Sequence, residues 1–197
     1  MSMFKHKAFA LGIAMAISVT VYADEVGVKP IPVINIDAQK NSGSNPIKVS
    51  LHEGTYLVES IGTDDGGTYN AWNPWGKTTC SNSDGCQKTS PTTFSGWLNN
   101  YVIASPSIIA ISIDDKSIVL EPKATINVGN KFVYPEPSSA LAAAKSKSVL
   151  FSLSASGDVK FYVSDSQFSD NDGGISLRLL RQTYEDGFKK GIAKCPN

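Results

Sequence analysis

Histidine and cysteine are scarce in this sequence: of its 197 residues, two are histidines and three are cysteines. Only His52 follows residue 23, and the cysteines form no paired C-x-x-C motif, so the usual ligand spacing of a zinc site is absent. The motifs G-x-S-x-G and H-E-x-x-H are absent as well. His52 lies in a His-Glu-Gly turn, where we expect it to face solvent rather than act as a general base. These absences predict a protein that is not an enzyme.

A charge excess and a second long apolar run are also missing. Lys and Arg together number 18, as do Asp and Glu, so nothing in the charge balance favours a nucleic-acid partner. The one long apolar run, at 8–21, follows Lys5 and Lys7 and precedes Val-Tyr-Ala, which is typical of a cleavable secretory signal. We therefore predict a signal peptide over 1–23, and a secreted or periplasmic product with no membrane span after cleavage.

The three cysteines all follow this segment and would lie in an oxidising compartment. Cys80 and Cys86 enclose the polar, turn-forming sequence Ser-Asn-Ser-Asp-Gly, so we predict a short disulfide between them. Pairing of Cys195 with either of them stays open as an alternative, because spacing alone does not fix connectivity.

Apolar and polar residues alternate over most of the remaining chain. Runs with this period are centred on Val49, Phe151, Phe161 and Leu177, and segments rich in Gly, Asn and Asp separate them. Such runs predict strands with one face buried and one face in water, and the last run places Ser176 on the wet face. Many short strands favour an all-β, jelly-roll-like β-sandwich over 24–181.

A helical insertion interrupts the strands. The segment 138–145 is rich in alanine, the best helix former, and begins with Ser138 as an N-cap candidate after two prolines. We predict a short helix that crosses between strands.

The tail over 182–197 has a second helical pattern, because Tyr184, Phe188 and Ile192 recur every four residues. This C-terminal helix either packs on the sandwich or mediates homo-oligomerisation, with Cys195 forming an intermolecular disulfide. Isolated helices of this length are marginal in water, which favours packing on the chain's own domain.

The loop over 165–174 is the strongest candidate for a metal site. Its side-chain oxygens come from Asp165, Asp170 and Asn171. Calcium takes six to eight oxygen ligands, and the glycines of this loop let a backbone fold tightly around an ion. The loop is not an EF-hand, since the two required acids at positions 1 and 12 would fall on Phe168 and Leu179. The alternative interpretation is a solvated turn between two strands.

A second polar loop, over 62–96, retains aromatic residues, including Trp72 and Trp75. Their rings offer the flat apolar area on which a sugar ring stacks. The alternative is that both tryptophans cover the end of the sandwich core.

These loops resemble those of a known family. The stretch from Gly157 to Asp165, followed by Asp170-Asn171 and Gly173-Gly174-Ile175, resembles the calcium-loop hairpin of bacterial galactophilic lectins. Upstream, Gly67-Thr68-Tyr69 with Trp75-Gly76 resembles the first binding loop of those lectins. The resemblance implies a jelly-roll sandwich with a galactose-binding-domain-like architecture.

The same resemblance implies calcium as the cofactor. Its ligands would be the side chains of Asp165, Asp170 and Asn171 with the carbonyl oxygens of Tyr69 and Ser169. The implied partner is a glycan or cell-surface polysaccharide, in contact with Tyr69, Trp72, Trp75, Asp165 and Asn171. Another hypothesis is an exported structural or adhesion domain that binds no sugar, in which calcium only rigidifies the loop or is absent.

Overall fold

The computed structural model describes residues 31–76, 96–114, 116–119, 125–129, 132–147 and 149–182, with the backbone alone for 117–119. The predictions for the signal peptide, the disulfide between Cys80 and Cys86, and the C-terminal helix fall on residues outside these ranges. Within the described part of the chain, no helix is long and apolar enough to cross a membrane.

The described residues are mostly β-structure. Eleven strands occur among them, in chain order: β1 (Ile34–Asp37), β2 (Ile47–Leu51), β3 (Gly54–Ile61), β4 (Trp72–Asn73), β5 (Tyr101–Ala104), β6 (Ile108–Ile113), β7 (Lys116–Val119), β8 (Thr125–Val128), β9 (Val149–Leu153), β10 (Gly157–Tyr162) and β11 (Asp172–Arg181). The same residues contain one α-helix, α1 (Pro137–Lys145), between β8 and β9.

Two antiparallel sheets pack as a sandwich, which confirms the predicted β-sandwich. The larger sheet has the order β1-β11-β3-β9-β6-β7, and the short β4 pairs with the beginning of β11. The smaller sheet has the order β2-β10-β5-β8. The four runs of alternating residues correspond to β2, β9, β10 and β11. Period-two burial explains this agreement, because alternate side chains of a strand point to opposite faces.

The core lies between the sheets and takes the inward face of each strand. Val149, Phe151 and Leu153 of β9 are buried, as are Val159 and Phe161 of β10. The ring of Phe151 stacks on that of Tyr56, with 5.5 Å between the ring centroids. Each such large side chain contributes about 1.5–3 kcal/mol of burial free energy, so these alternating positions dominate the stability of the sandwich.

Helix α1 confirms the predicted insertion but begins earlier than its sequence suggests. Glu136 is the N-cap and Pro137 the first helical residue, so the prediction of Ser138 as the cap was wrong. The fixed φ of proline suits the first helical position, where its missing N–H costs no hydrogen bond. The helix buries Ala140 and Leu141. The Leu141 side chain covers Gly62, where an added methyl group would lie 2.5 Å from Leu141 Cδ2.

Candidate functional site

The acidic loop, residues 165–171, connects β10 to β11. Asp165 lies shortly after β10, and its Oδ1 accepts a hydrogen bond from the backbone N–H of Ser166 at 2.6 Å. A 3-10 turn follows at Phe168–Asp170, and the N–H of Asn171 donates to the carbonyl oxygen of Phe168 at 3.3 Å. The predicted turn is therefore present and leads directly into the long central strand β11.

The Asn171 side chain is held by the segment that follows β1. It is 1% exposed, and its Nδ2 donates to the carbonyl oxygen of Ala38 at 2.9 Å. The side-chain amide of Gln39 in turn donates to the carbonyl oxygen of Asn171 at 2.6 Å. Because Nδ2 is committed to Ala38, Oδ1 of Asn171 is fixed in place without a protein donor of its own.

Three buried oxygens of the acidic loop have no hydrogen-bond partner among the described residues. They are Oδ2 of Asp165, Oδ1 of Asp170 and Oδ1 of Asn171. Buried polar side-chain atoms nearly always have a partner, so three unpaired acceptors within seven residues require an explanation. All three are hard oxygen donors, the kind that calcium prefers. The chemistry of these three atoms is therefore compatible with a divalent, oxygen-seeking cation.

The carboxylates of the acidic loop are too few to bind a metal ion by themselves. Within the described ranges, no group of three or more His, Cys, Asp or Glu side chains is placed to hold a metal ion. The acidic loop offers two carboxylates and one amide oxygen, so six or more ligands would require backbone carbonyl oxygens or oxygens of a bound ligand.

The segment over 62–76, here called the aromatic loop, is fixed to the sheet by a buried serine. The Oγ of Ser176 accepts hydrogen bonds from the N–H groups of Thr68 and Tyr69, both at 2.9 Å. It donates to Oδ1 of Asn35 on β1 at 2.7 Å. The sequence placed Ser176 on the wet face of its strand, which was wrong, because the aromatic loop covers that face and uses the hydroxyl as an acceptor.

The aromatic loop meets the acidic loop at two points. The short strand β4 pairs Asn73 with Asp172, directly after the acidic loop. Further along, Gly76 has a φ of +73°, and a methyl group added there would lie 3.4 Å from the carbonyl oxygen of Asp170. The two loops that the sequence singled out are therefore neighbours.

Of the two residues predicted to offer carbonyl oxygens, Tyr69 is the better anchored. Its ring lies against Gly174, and its hydroxyl donates to Oδ2 of Asp37 at 3.2 Å. Its carbonyl oxygen accepts no hydrogen bond from the described residues. Ser169 lies exposed within the 3-10 turn, between Phe168 and Asp170.

The interaction between Asp37 and Tyr69 changes the pKa of both side chains. Burial raises the pKa of Asp37, but hydrogen bonds from Lys40, the Gln39 N–H and the Tyr69 hydroxyl outweigh it, so the pKa is lowered overall. Burial raises the pKa of Tyr69, and the charge of Asp37 and the hydrogen bond to it raise that pKa further. At neutral pH Asp37 is therefore an anion held at the base of the aromatic loop.

The two candidate tryptophans lie in different environments. Trp72 is 2% exposed, packs in the core, and donates its indole N–H to Oδ1 and the carbonyl oxygen of Asn100. This placement matches the core-covering interpretation, since an enclosed ring cannot stack on a ligand. Trp75 is 40% exposed and immediately precedes Gly76, which approaches the acidic loop.

Asn73 is a residue that the sequence did not single out. It is fully buried, its Oδ1 accepts the N–H of Trp75 at 3.0 Å, and its Nδ2 is a buried donor without a partner. A cation accounts for unpaired oxygens but not for an unpaired N–H, so Asn73 calls for an acceptor of another kind. In the sequence, Asn73 lies in a loop with many polar residues, and no local pattern marks it as buried.

Comparisons with protein-family models, with curated proteins and with solved structures found no match for this chain. The resemblance to galactophilic lectins therefore stays a prediction from the sequences of the two loops.

Proposed function

We propose that this chain is an exported, calcium-dependent carbohydrate-binding protein with a lectin-like jelly-roll sandwich. It would act in the periplasm or outside the cell, on a glycan or a cell-surface polysaccharide. The observation that carries this proposal is the set of three buried, unpaired oxygens on Asp165, Asp170 and Asn171. A calcium ion among them would supply the positive charge that these oxygens lack from the protein.

Burial makes the ion matter for stability as well as for binding. A buried acceptor without a partner costs roughly 1–3 kcal/mol, and more when it carries charge. An ion that binds the folded chain alone stabilises it by about 2.7 kcal/mol when its concentration is one hundred times its dissociation constant. For a chain of this size, this amounts to a rise in melting temperature of roughly 5 to 10 °C.

Trp75 and the neighbouring backbone support sugar as the ligand. An exposed indole beside an ion-binding turn offers a flat apolar face next to a charged centre, and sugars carry both apolar faces and hydroxyl oxygens. The buried Trp72 is not part of this proposed surface. Sugar hydroxyls would complete the ligand set that the two carboxylates and one amide leave short.

The second candidate is a structural or adhesion domain in which calcium rigidifies the acidic loop and no sugar binds. The near-complete burial of Asn171 favours it, because an ion held among enclosed oxygens already has protein around it. Both candidates share the ion and differ only in the external ligand.

Two measurements test these candidates. Differential scanning calorimetry with added calcium or with chelator reports the ion, and a glycan array with and without chelator reports the sugar. We expect calcium to raise the melting temperature and glycan binding to disappear with chelator. Stabilisation without glycan binding would support the structural candidate, and no response to calcium would refute both.

Matched variants assign the effect to the acidic loop. Asp165→Asn and Asp170→Asn keep the shape of each side chain but remove its charge, and should abolish most of the calcium response. Asp64→Asn is the control, because Asp64 is an exposed carboxylate on the turn at Thr63–Asp65. An equal calcium response in all three variants would contradict the proposed ligand set.

A further inference from the structure

A cavity of about 210 Å³ lies between the two sheets, beneath helix α1. The larger sheet contributes Val58 and Val149 to its wall, and the smaller sheet contributes Tyr101 and Val128. None of these residues belongs to the acidic or the aromatic loop, so the cavity is separate from the proposed sugar site.

Helix α1 contributes only methyl groups to the wall of the cavity. Its contributions are Ala140, Ala143 and Ala144, which recur at the spacing of one helix face. The larger Leu141 points elsewhere and packs on Gly62. Because alanine is short, the helix covers the end of the core without filling the space between the sheets.

The wall is mostly apolar, and one of its polar groups has no hydrogen-bond partner in the described part of the chain. Tyr101 is 4% exposed, and within the described ranges its hydroxyl makes no hydrogen bond. Ser60 also lines the cavity, but its hydroxyl donates to Oδ1 of Asn99 at 3.3 Å. An ion pair between Lys147 and Asp114, 2.7 Å between Nζ and Oδ2, lies among the lining residues.

The space is open to solvent on the side of Lys147 and Asp114, whose side chains are 45% and 40% exposed. Water that enters it lies against apolar side chains, and replacing such weakly held water by an apolar group favours binding. Six of the 13 lining residues are valine or alanine, whose side chains offer water no hydrogen bond. Engineered apolar cavities of about 150 Å³ bind benzene, so the volume here suits a single ring carrying a small substituent.

We propose that this cavity binds a single-ring aromatic alcohol, with its ring against the alanines of α1 and its hydroxyl hydrogen-bonded to Tyr101. The cavity volume limits the ligand to a single substituted ring, and the methyl groups of the wall favour an apolar ring. The Tyr101 hydroxyl, which has no partner among the described residues, favours one polar group on the ligand.

Isothermal titration calorimetry of the purified protein with p-cresol and with toluene tests this proposal. We expect p-cresol to bind, and Tyr101→Phe to weaken it about fivefold while leaving toluene unchanged, since one neutral hydrogen bond contributes about 1 kcal/mol. Ala143→Leu should fill the cavity and weaken both probes at least tenfold. Ala142→Leu is the matched control, because Ala142 lies on the exposed face of the same helix.

Three results would overturn the proposal: no binding of p-cresol, equal binding by the Ala143→Leu and Ala142→Leu proteins, or tighter binding of a linear alkanol than of p-cresol. A measurement on the unaltered chain guards against a variant that does not fold. Alanine-methyl-labelled protein should give nuclear Overhauser contacts between the p-cresol ring and the methyl groups of Ala140, Ala143 and Ala144. Their absence in the presence of bound p-cresol would place the probe elsewhere and refute the assignment.

Discussion

Replacing Ser176 by alanine tests how the aromatic loop is held. The Oγ of Ser176 accepts two backbone N–H groups, those of Thr68 and Tyr69, and donates to Asn35. The substitution Ser176→Ala removes this one atom and leaves the strand backbone unchanged, so any loss of stability reports the three hydrogen bonds.

The expected loss of stability depends on which hydrogen bonds the partners of Ser176 retain after the substitution. The N–H of Thr68 retains a second acceptor, Oδ1 of Asn35, at 3.0 Å, whereas the N–H of Tyr69 has no other acceptor in the described part of the chain. A buried N–H left unpaired costs about 1–3 kcal/mol, and the lost bond to Asn35 about 1 kcal/mol more. We therefore expect Ser176→Ala to lower the free energy of unfolding by about 2–4 kcal/mol.

Urea unfolding followed by tryptophan fluorescence measures this loss, and an unchanged m-value would show that the two states expose the same surface. Ser166→Ala is the control, because Ser166 is exposed on the acidic loop and we expect its loss to change stability by less than about 0.5 kcal/mol. If the two variants lose the same free energy, the serine hydroxyl does not hold the loop and the argument fails.

Two further predictions concern the same end of the larger sheet. Burial raises the pKa of Asp37, but the hydrogen bonds from Lys40, Gln39 and Tyr69 lower it below the ordinary 3.8 overall. The stabilisation from the Asp37 carboxylate is therefore complete above pH 3.8 and is lost as the pH falls through the lower pKa of the folded state. In urea titrations, the difference in stability between wild type and Asp37→Asn should shrink over that window, and a constant difference would contradict the assignment. Gly174→Ala should destabilise by about 3 kcal/mol or more, because the added methyl group would collide with the carbonyl oxygen of Ile36. Gly157→Ala, whose methyl group would meet open space, should leave the urea midpoint nearly unchanged, and equal midpoints for the two variants would refute the steric argument.

The sequence predicted the elements whose burial follows a simple period. Val159 and Phe161 alternate with exposed or half-buried residues in β10, and Val149 and Phe151 alternate with half-buried residues in β9. The hydrophobic pattern alone therefore located these strands. The insertion helix was predicted from its alanines, because alanine has the highest helix propensity.

Long-range contacts account for what the sequence did not reveal. Asn171 is held by Ala38, which lies 133 residues away along the chain, and Ser176 is buried by a loop that begins more than one hundred residues earlier. A local pattern carries no information about such partners. It identified Asp165, Asp170 and Asn171 as oxygen donors, but it gave no means of knowing that each would be left with a buried, unpaired oxygen.

The tryptophans illustrate the same limit. Trp72 and Trp75 are the same residue type and lie three residues apart in one polar loop, yet the ring of Trp72 is enclosed in the core and that of Trp75 is exposed. What separates them is β4, a two-residue strand that pairs Trp72 with Gly173. A strand this short leaves no periodic signal, so only the fold distinguishes a core ring from a surface ring.

Helix α1, described above as an insertion, also braces the aromatic loop. Its Leu141 covers Gly62 at the beginning of that loop, and Lys145 forms an ion pair of 2.6 Å with Asp65 in the first turn. Together with the hydrogen bonds to Ser176, these contacts hold the beginning and the middle of the aromatic loop in one conformation in the folded chain. A ligand that docks there loses little affinity to ordering the backbone, so such binding should be accompanied by small conformational entropy changes and little movement of the loop.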